Sequence, residues 1–296
     1  MGDFARGMKK EIVFTGVGCA VITPFKDGCV DYPALTRIIE REIAEGVDAI
    51  VVCGTTGECA TLTDAERYRI FAHSHEVCED KCKLILGVGS NDTLTAVHHT
   101  EAASRIGCDG VLAVTPYYNR GTEGGIIKHF LAIAEASAAP VLLYNVPTRT
   151  GVNLSINALS VLSEHENIVG IKEASDSHDR LLEVASFGER LWLYAGSDSQ
   201  IHTVLSLGGL GVISVAANAF PDRVKRISDL FFLERWRESL DWQINLMPLV
   251  RLLFRECSPA PIKYLMSRLA LCEGELRLPM DEISEELKRQ IDVLIK

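Results

Sequence analysis

A lysine at the end of an apolar run is the first side chain in this sequence whose position suggests chemistry. Lys172 follows the run IVGI at 168–171, which has the β-branched composition of a buried strand. An amine that leaves such a strand into an apolar pocket has its charged form disfavoured, so its pKa falls. A nucleophilic free amine then becomes available near neutral pH and can form a Schiff base with a ketone.

Two more reactive groups follow a second apolar run, PVLL at 140–143. Tyr144 places a phenol at the end of this run, and Arg149 lies five residues further on. A phenol can relay protons without adding a charge that would keep the lysine protonated, and a guanidinium binds carboxylates in a bidentate manner. Amine, phenol and guanidinium at successive strand ends predict chemistry on keto acids.

Composition and charge narrow the possible partners. The chain has 296 residues, 47% of them hydrophobic and 24% charged, and a formal net charge of −10. These values are typical of a globular protein with a substantial core. The negative net charge argues against nucleic acid and anionic membrane surfaces as partners, because a protein binds either of them through a basic face. We therefore expect small-molecule substrates, with any anionic substrate held by local cations.

The cysteines and histidines do not form a recognisable metal site. The nine cysteines are odd in number and scattered among apolar residues, as reduced cytosolic thiols usually are. Cys78 and Cys82 lack the second pair that a zinc site requires. No signal peptide or stretch of eighteen uncharged apolar residues is found. The sequence predicts a cytoplasmic protein that uses no metal or organic cofactor.

Short apolar runs recur along the chain, each followed by a loop and a segment of helical period. We predict eight strands, with the bounds Gly18–Thr23, Ala49–Cys53, Leu84–Val88, Gly110–Thr115, Val141–Asn145, Ile168–Lys172, Leu191–Gly196 and Gly211–Val215. Runs that are apolar throughout indicate parallel strands covered on both faces. Eight units fit a (β/α)8 TIM barrel better than a doubly wound sheet, for which no GxGxxG fingerprint is present.

The last quarter of the chain has only helical periodicity. Helices are expected near Asp222–Trp236, Leu240–Arg255, Pro261–Leu271 and Met280–Ile295. We therefore predict a catalytic barrel over residues 1–220 and a C-terminal helical extension, residues 221–296, that packs on it. Two local signals support the boundaries. TDAE at 63–66 has the pattern of a capping box, and LGGLG at 207–211 precedes a strand, as a tight turn does.

In a TIM barrel the residues that follow each strand meet at one mouth. This arrangement would bring Thr55, Thr56 and Tyr118 to the same face as Lys172 and its neighbours. Taken singly, each residue has an ordinary explanation: a lysine can flank a strand in solvent, threonines between glycines can form turns, and tyrosines can pack a core. The shared location and the complementary chemistry favour an active site.

Four motifs at this mouth, together with one late in the chain, resemble those of one enzyme family. The stretches GTTGE at 54–58, TPYYNR at 115–120, YNVPTRTG at 144–151, GIKEAS at 170–175 and LRLPM at 276–280 are similar to those of the dihydrodipicolinate synthases, also called 4-hydroxy-tetrahydrodipicolinate synthases. These enzymes are lysine-dependent pyruvate aldolases of the diaminopimelate route to lysine. The resemblance covers the chain from Gly16 to about Met280.

The resemblance implies a role for each matching residue. Lys172 would form the imine with pyruvate, and Thr56 would help to hold the pyruvate carboxylate. Arg149 would bind the carboxylate of L-aspartate 4-semialdehyde. A proton relay would be formed by Tyr144, Thr55 and Tyr118, and the backbones of Gly196 and Ile213 would line the pocket. In this family the residue matching Tyr118 reaches into the neighbouring subunit, so a homotetramer or homodimer is expected.

The resemblance also covers a possible allosteric pocket. Asn91 and Tyr117 match the family's lysine-binding positions. Two histidines and a glutamate of the lysine-inhibited members are replaced here by Asp64, Arg67 and Thr95. Loss of a carboxylate and gain of an arginine disfavour a cationic ligand, so we predict weak or absent feedback inhibition by lysine.

Two alternatives remain at this stage. N-acetylneuraminate lyases and 2-keto-3-deoxy-sugar-acid aldolases share the lysine, the tyrosine and the barrel, but they need hydroxyl-binding groups where this chain has Thr148 and Arg149. A non-catalytic barrel that binds keto acids is the other alternative. Such a protein would be expected to lack part of the lysine, tyrosine and threonine set, and none is missing here.

Overall fold

Eight parallel strands close into a barrel in the computed structural model, which describes residues 9–295. The strands of this part of the chain are β1 (Gly16–Ala20), β2 (Phe25–Lys26), β3 (Cys29–Val30), β4 (Ala49–Val52), β5 (Lys83–Gly87), β6 (Gly110–Val114), β7 (Val141–Asn145), β8 (Ile168–Glu173), β9 (Trp192–Ala195) and β10 (Gly211–Ser214). β2 and β3 form a separate hairpin. The others pair in the order β1-β10-β9-β8-β7-β6-β5-β4, and β4 returns to β1. The predicted (β/α)8 fold is confirmed.

Helices surround the barrel. In the part of the chain that the structure describes they are α1 (Tyr32–Ala44), α2 (Asp64–Cys78), α3 (Thr93–Ile106), α4 (Glu123–Ala136), α5 (Pro147–Thr150), α6 (Ile156–Ser163), α7 (His178–Ala185), α8 (Ile201–Ser206), α9 (Pro221–Phe232), α10 (Trp236–Leu253), α11 (Ala260–Arg268) and α12 (Glu285–Leu294). α9 packs against β1 and follows the last barrel strand, while α10 packs on α8, α9 and α12. The C-terminal helices therefore form a layer that lies against the barrel.

Several predicted boundaries were wrong for identifiable reasons. β1 ends at Ala20 rather than Thr23, because the N–H of Ile22 donates to the side chain of Asn218 and Pro24 has no N–H to offer a strand. α9 ends at Phe232 rather than Trp236. The backbone of Glu234 has a φ of 60°, which a right-handed helix cannot include.

Two other C-terminal helices begin at residues different from those predicted, and local features of the chain explain why. α10 begins at Trp236, four residues before the predicted start, directly after the break at Glu234. α12 begins after Ser284 rather than at Met280, since the Ser284 hydroxyl caps the helix by accepting from the N–H of Leu287. The capping box at the start of α2 is confirmed, because Thr63 and Glu66 accept each other's backbone N–H. Among residues 9–295, no helix combines the length and the apolar character that crossing a bilayer requires.

The inside of the barrel is blocked at its N-terminal end. Phe14 precedes β1 and stacks on Tyr194 of β9, with ring centroids 4.6 Å apart. The Tyr194 hydroxyl donates to the carbonyl of Phe14 at 2.7 Å, which satisfies a phenol that is otherwise surrounded by apolar side chains. Access to the interior is therefore from the opposite end, where β7 and β8 finish.

Candidate active site

Neighbouring strands place Lys172 and Tyr144 side by side. Lys172 lies near the end of β8 and is the register partner of Tyr144 on β7. Both side chains are buried, with 5% and 6% of their surfaces exposed, and the Lys172 Nζ lies 4.4 Å from the centroid of the Tyr144 ring. The apolar runs predicted as strands thus bring an amine and a phenol into contact.

The surroundings of Lys172 favour its neutral form. Burial lowers the pKa of this amine to about 8, and the positive charge of Arg149 acts in the same direction, whereas the carboxylate of Asp198 opposes it. About a tenth of the amine is therefore neutral at pH 7, whereas at the ordinary pKa of 10.5 the neutral fraction would be below about one in a thousand. This is the property that a Schiff-base nucleophile requires.

The phenol of Tyr144 stays protonated and lies beside the hydroxyl of Thr55. Burial raises its pKa, while the charge of Arg149 and a hydrogen bond with the Thr55 hydroxyl partly offset this effect. Thr55 lies in the loop that follows β4. The Thr55 hydroxyl thus lies beside the Tyr144 phenol, whose ring faces the Lys172 amine. Neutral groups placed in this way can take part in proton transfer.

A cavity of about 270 Å³ opens beside these groups. Thr55 and Arg149 line it, together with residues from the C-terminal region. Neither Tyr144 nor Lys172 is among its lining residues, but Val114, the register partner of Tyr144 on β6, and Val146 are. Arg149 is partly held in place because its Nη2 donates to the carbonyl of Ser258 at 3.0 Å. The cavity thus combines an apolar wall with a cation suited to a carboxylate.

Two buried carboxylates support the strand ends without facing the cavity. Asp198 accepts from the N–H groups of Val215 and Ala216, at 3.0 and 3.1 Å, and so fixes the loop after β10. Burial raises the pKa of Asp198, and these hydrogen bonds together with Lys172 lower it. Glu173 accepts two hydrogen bonds from Asn145 and is paired with Arg180.

The remaining predicted residues differ in where they lie. Thr56 is buried in the loop after β4, and Ile213 is buried in β10. Gly196 follows β9, and its N–H donates to the carbonyl of Glu173 at 2.7 Å. A Cβ at Gly196 would lie 2.8 Å from that carbonyl oxygen, so only glycine allows this approach.

Tyr118 does not join the other catalytic candidates within this chain. Its side chain is 89% exposed, and its backbone has a φ of 70°, in the left-handed region. The structure therefore brings Lys172, Tyr144, Thr55 and Arg149 together and directs Tyr118 outward. Tyr117, its neighbour, is half-buried and lines the cavity.

The positions of the possible allosteric pocket are occupied by an interaction network of this chain. The Arg67 guanidinium is buried and donates to the carbonyls of Gly87 and Cys59, at 3.0 and 2.8 Å. Asp64 lies 3.1 Å from the Nε2 of His99. Asn91 accepts a hydrogen bond from Asn119 through its carbonyl. A buried guanidinium thus lies at one of the positions that the family resemblance assigns to the possible allosteric pocket.

Other cavities carry no comparable chemistry. Three surface cavities, of about 680, 800 and 620 Å³, are larger, but none of them is lined by any of the predicted catalytic or substrate-binding residues. Across residues 9–295, no group of three or more His, Cys, Asp or Glu side chains is placed to hold a metal ion.

The sequence interpretation assigned no role to the C-terminal residues at the cavity. Ser258, Pro259, Pro279 and Met280 line it, yet the C-terminal helices were expected only to pack on the barrel. One feature of the sequence does point to a contact between this region and the barrel: the charged Lys263 lies within the apolar run PIKYLM at 261–266. Such a buried charge requires a partner elsewhere.

Comparison with known proteins gives the same family over the whole site. The family model described as "Dihydrodipicolinate synthetase family" matches residues 13–296. A 4-hydroxy-tetrahydrodipicolinate synthase of Clostridium novyi is 42% identical over 274 residues, which cover 92% of this chain and 93% of that protein.

Solved structures agree. The 4-hydroxy-tetrahydrodipicolinate synthase of Methylacidiphilum fumariolicum SolV has a TM-score of 0.93 at 38% identity, covering 95% of this chain and 94% of its own. The chloride-inhibited dihydrodipicolinate synthase of Acinetobacter baumannii, in complex with pyruvate, has a TM-score of 0.92 at 34% identity, covering 95% and 97%.

Proposed function

We propose, since this chain belongs to the dihydrodipicolinate synthetase family, that it condenses pyruvate with L-aspartate 4-semialdehyde at the cavity beside Lys172. The observation that carries this proposal is the buried Lys172 amine, its pKa lowered to about 8 and its Nζ 4.4 Å from the Tyr144 ring. The product is 4-hydroxy-tetrahydrodipicolinate, and the enzyme is a lyase that works through a Schiff base.

The first half of the reaction activates pyruvate. The neutral Lys172 amine attacks the C2 carbonyl, and Tyr144 and Thr55 pass protons to the carbinolamine oxygen, which leaves as water. Thr56 and the neighbouring loop amides hold the pyruvate carboxylate. The resulting iminium withdraws electrons from C3, so that C3 loses a proton and becomes an enamine carbon.

The second half forms the ring. The enamine carbon attacks the aldehyde of aspartate semialdehyde, whose carboxylate is bound by Arg149. The amine of this substrate then attacks the iminium carbon and displaces the Lys172 nitrogen. Closing the ring therefore also frees the enzyme.

Arg149 favours this function over sugar-acid aldolases. An N-acetylneuraminate lyase or a 2-keto-3-deoxy-sugar-acid aldolase would need groups that bind several hydroxyls beyond the imine. The cavity offers a guanidinium and a largely apolar wall instead, which suit a short acid. A coupled assay with aspartate semialdehyde and, separately, N-acetylneuraminate tests this choice; turnover of only the latter would contradict it.

The assembly proposed is a homotetramer or homodimer in which Tyr118 enters the site of a neighbouring subunit. Its 89% exposed side chain supports this, because it leaves the phenol free to enter a neighbouring site. We also propose a cytoplasmic location, which the nine free cysteines support. The division into a barrel of residues 1–220 and an extension of residues 221–296 stays a prediction.

A direct test of the nucleophile is borohydride trapping with pyruvate. We expect a covalent adduct on Lys172 in mass spectra of the digested protein and none in Lys172→Ala. Lys225→Ala, which removes a lysine paired with Asp48 outside the cavity, serves as the matched control and should keep the adduct. An adduct that survives Lys172→Ala unchanged would instead favour a keto-acid-binding protein without this mechanism.

A further inference from the structure

The loop that carries Thr55 and Thr56 ends in a residue with a strained backbone. Glu58 has a φ of 50°, in the left-handed region, which non-glycine residues rarely adopt. Such a conformation persists only where surrounding groups hold it. The contacts of Glu58 therefore indicate what fixes the loop.

A lysine from the C-terminal region provides the main contact. Lys263 of α11 forms an ion pair with the Glu58 carboxylate, and their side chains are 0% and 2% exposed. The Lys263 Nζ also donates to the carbonyl of Glu275 at 2.8 Å, and it lies 4.1 Å from the ring centroid of Phe25. Burial lowers the pKa of Lys263, and Glu58 raises it. The pair is thus compensated by further polar contacts, as a buried ion pair must be.

Arg277 connects the same loop to the C-terminal region a second time. Its backbone N–H donates to Glu58 Oε2 at 3.1 Å. Its guanidinium donates to the carbonyl of Thr61 at 3.0 Å and forms an ion pair of 2.6 Å with Glu66. The loop after β4 is therefore held at Glu58 and again at the start of α2.

We propose that Lys263 is a positioning residue for pyruvate: through its ion pair with Glu58 it fixes the loop that presents Thr55 and Thr56. This inference rests on the proposed roles of these two threonines. Lys263 does not line the cavity, so it acts through Glu58. Arg149 donates to the carbonyl of Ser258, just before α11, and is bonded to neither Glu58 nor Lys263. The binding of the aldehyde acid therefore depends less on this ion pair.

The experiment compares the two substrates in Lys263→Met. This variant keeps the apolar stem and removes the charge. We expect the pyruvate concentration for half-maximal borohydride trapping to rise by at least about tenfold, because small misplacements of positioning groups have large effects. The half-saturation for aspartate semialdehyde, measured at saturating pyruvate, should change by less than about twofold, since Arg149 keeps its support.

Two variants separate positioning from folding. Lys263→Arg keeps the cation, so its pyruvate concentration for half-maximal trapping should remain within about threefold of that of the parent protein. The double variant Glu58→Gln with Lys263→Met leaves no lone buried charge, so its thermal midpoint should lie above that of Lys263→Met. Its pyruvate half-saturation should stay high. Arg268→Met, which removes an exposed ion pair of the same helix, should change the half-saturation for neither substrate.

Two outcomes would overturn the proposal. One is a folded double variant that binds pyruvate as the parent protein does. The other is an equal rise in the half-saturation for both substrates in Lys263→Met, which would indicate that the whole site had become less ordered. Failure of the proposed function would look different, because the unsubstituted protein itself would then give no trapped adduct.

Discussion

The Lys172 Nζ lies 4.4 Å from the centroid of the Tyr144 ring, and the two residues are register partners on β8 and β7. Strand pairing therefore places the nucleophile and the phenol on adjacent strands at the same level of the barrel. Both side chains are buried, so the amine loses hydration, which lowers its pKa. The neutral phenol adds no negative charge that would raise it again. This relationship underlies the predictions that follow.

The pH dependence of imine formation should follow the Lys172 amine. Only the neutral amine attacks pyruvate, and burial sets its pKa at about 8 rather than the ordinary 10.5. The initial rate of trapping should therefore increase about tenfold per pH unit well below pH 8 and level off above about pH 9. A rate that is flat over this interval, or that still rises towards 10.5, would contradict the assignment.

Removal of the phenol should slow imine formation without removing it. In Tyr144→Phe the ring remains over Lys172 but the proton relay is broken. We expect a loss of about 10² to 10³ in the single-turnover rate of adduct formation. Tyr264→Phe, in the C-terminal region and outside the catalytic cavity, is the matched control and should behave as the parent. Equal rates for both variants would exclude Tyr144 from the relay.

Arg149→Ala should separate the two substrates. The aldehyde acid loses its carboxylate partner, so kcat/KM for aspartate semialdehyde should fall by about 10² or more. Trapping of pyruvate should persist, because Lys172 and the threonines remain. It should be slower near neutral pH, since loss of the Arg149 charge raises the pKa of the Lys172 amine. Arg37→Ala, which removes an exposed arginine of α1, controls for loss of surface charge. Loss of pyruvate trapping with intact aldehyde use would refute the role of Arg149.

Mixing two inactive variants should restore activity if subunits share Tyr118. In a mixed dimer of Tyr118→Phe and Lys172→Ala, one site has an intact lysine from the first subunit and an intact tyrosine from the second. Random mixing in equal amounts should give about a quarter of the parent activity. Activity no greater than the sum of the separate variants, in mixtures shown to form mixed dimers, would place Tyr118 outside the neighbouring site.

Feedback inhibition by L-lysine should be weak or absent. Arg67 already supplies a buried guanidinium bonded to the carbonyls of Gly87 and Cys59, and a second cation there would be repelled. Steady-state rates should be unchanged at L-lysine concentrations below about 1 mM, a range in which a charge-paired amino-acid site would be filled. A sub-millimolar inhibition constant would contradict this prediction.

The local pattern of the sequence was enough to predict the barrel. The run at 141–145 was placed with the bounds that β7 has, because a buried parallel strand is apolar throughout and needs no distant information. Bounds were less accurate where a single contact decided them. The N–H of Ile22 turns to Asn218, far along the chain, and no local pattern records such a partner.

The candidate site shows the same division. The sequence by itself determined the set of reactive groups and their order along the strands, since strand ends of a barrel meet at one mouth. Tertiary structure decided which groups touch and what holds them. The Glu58–Lys263 pair joins residues far apart along the chain, and the exposure of Tyr118 is a property of the folded loop. Burial and long-range contact set the pKa of Lys172 as well, and these are properties of the packed molecule rather than of any segment.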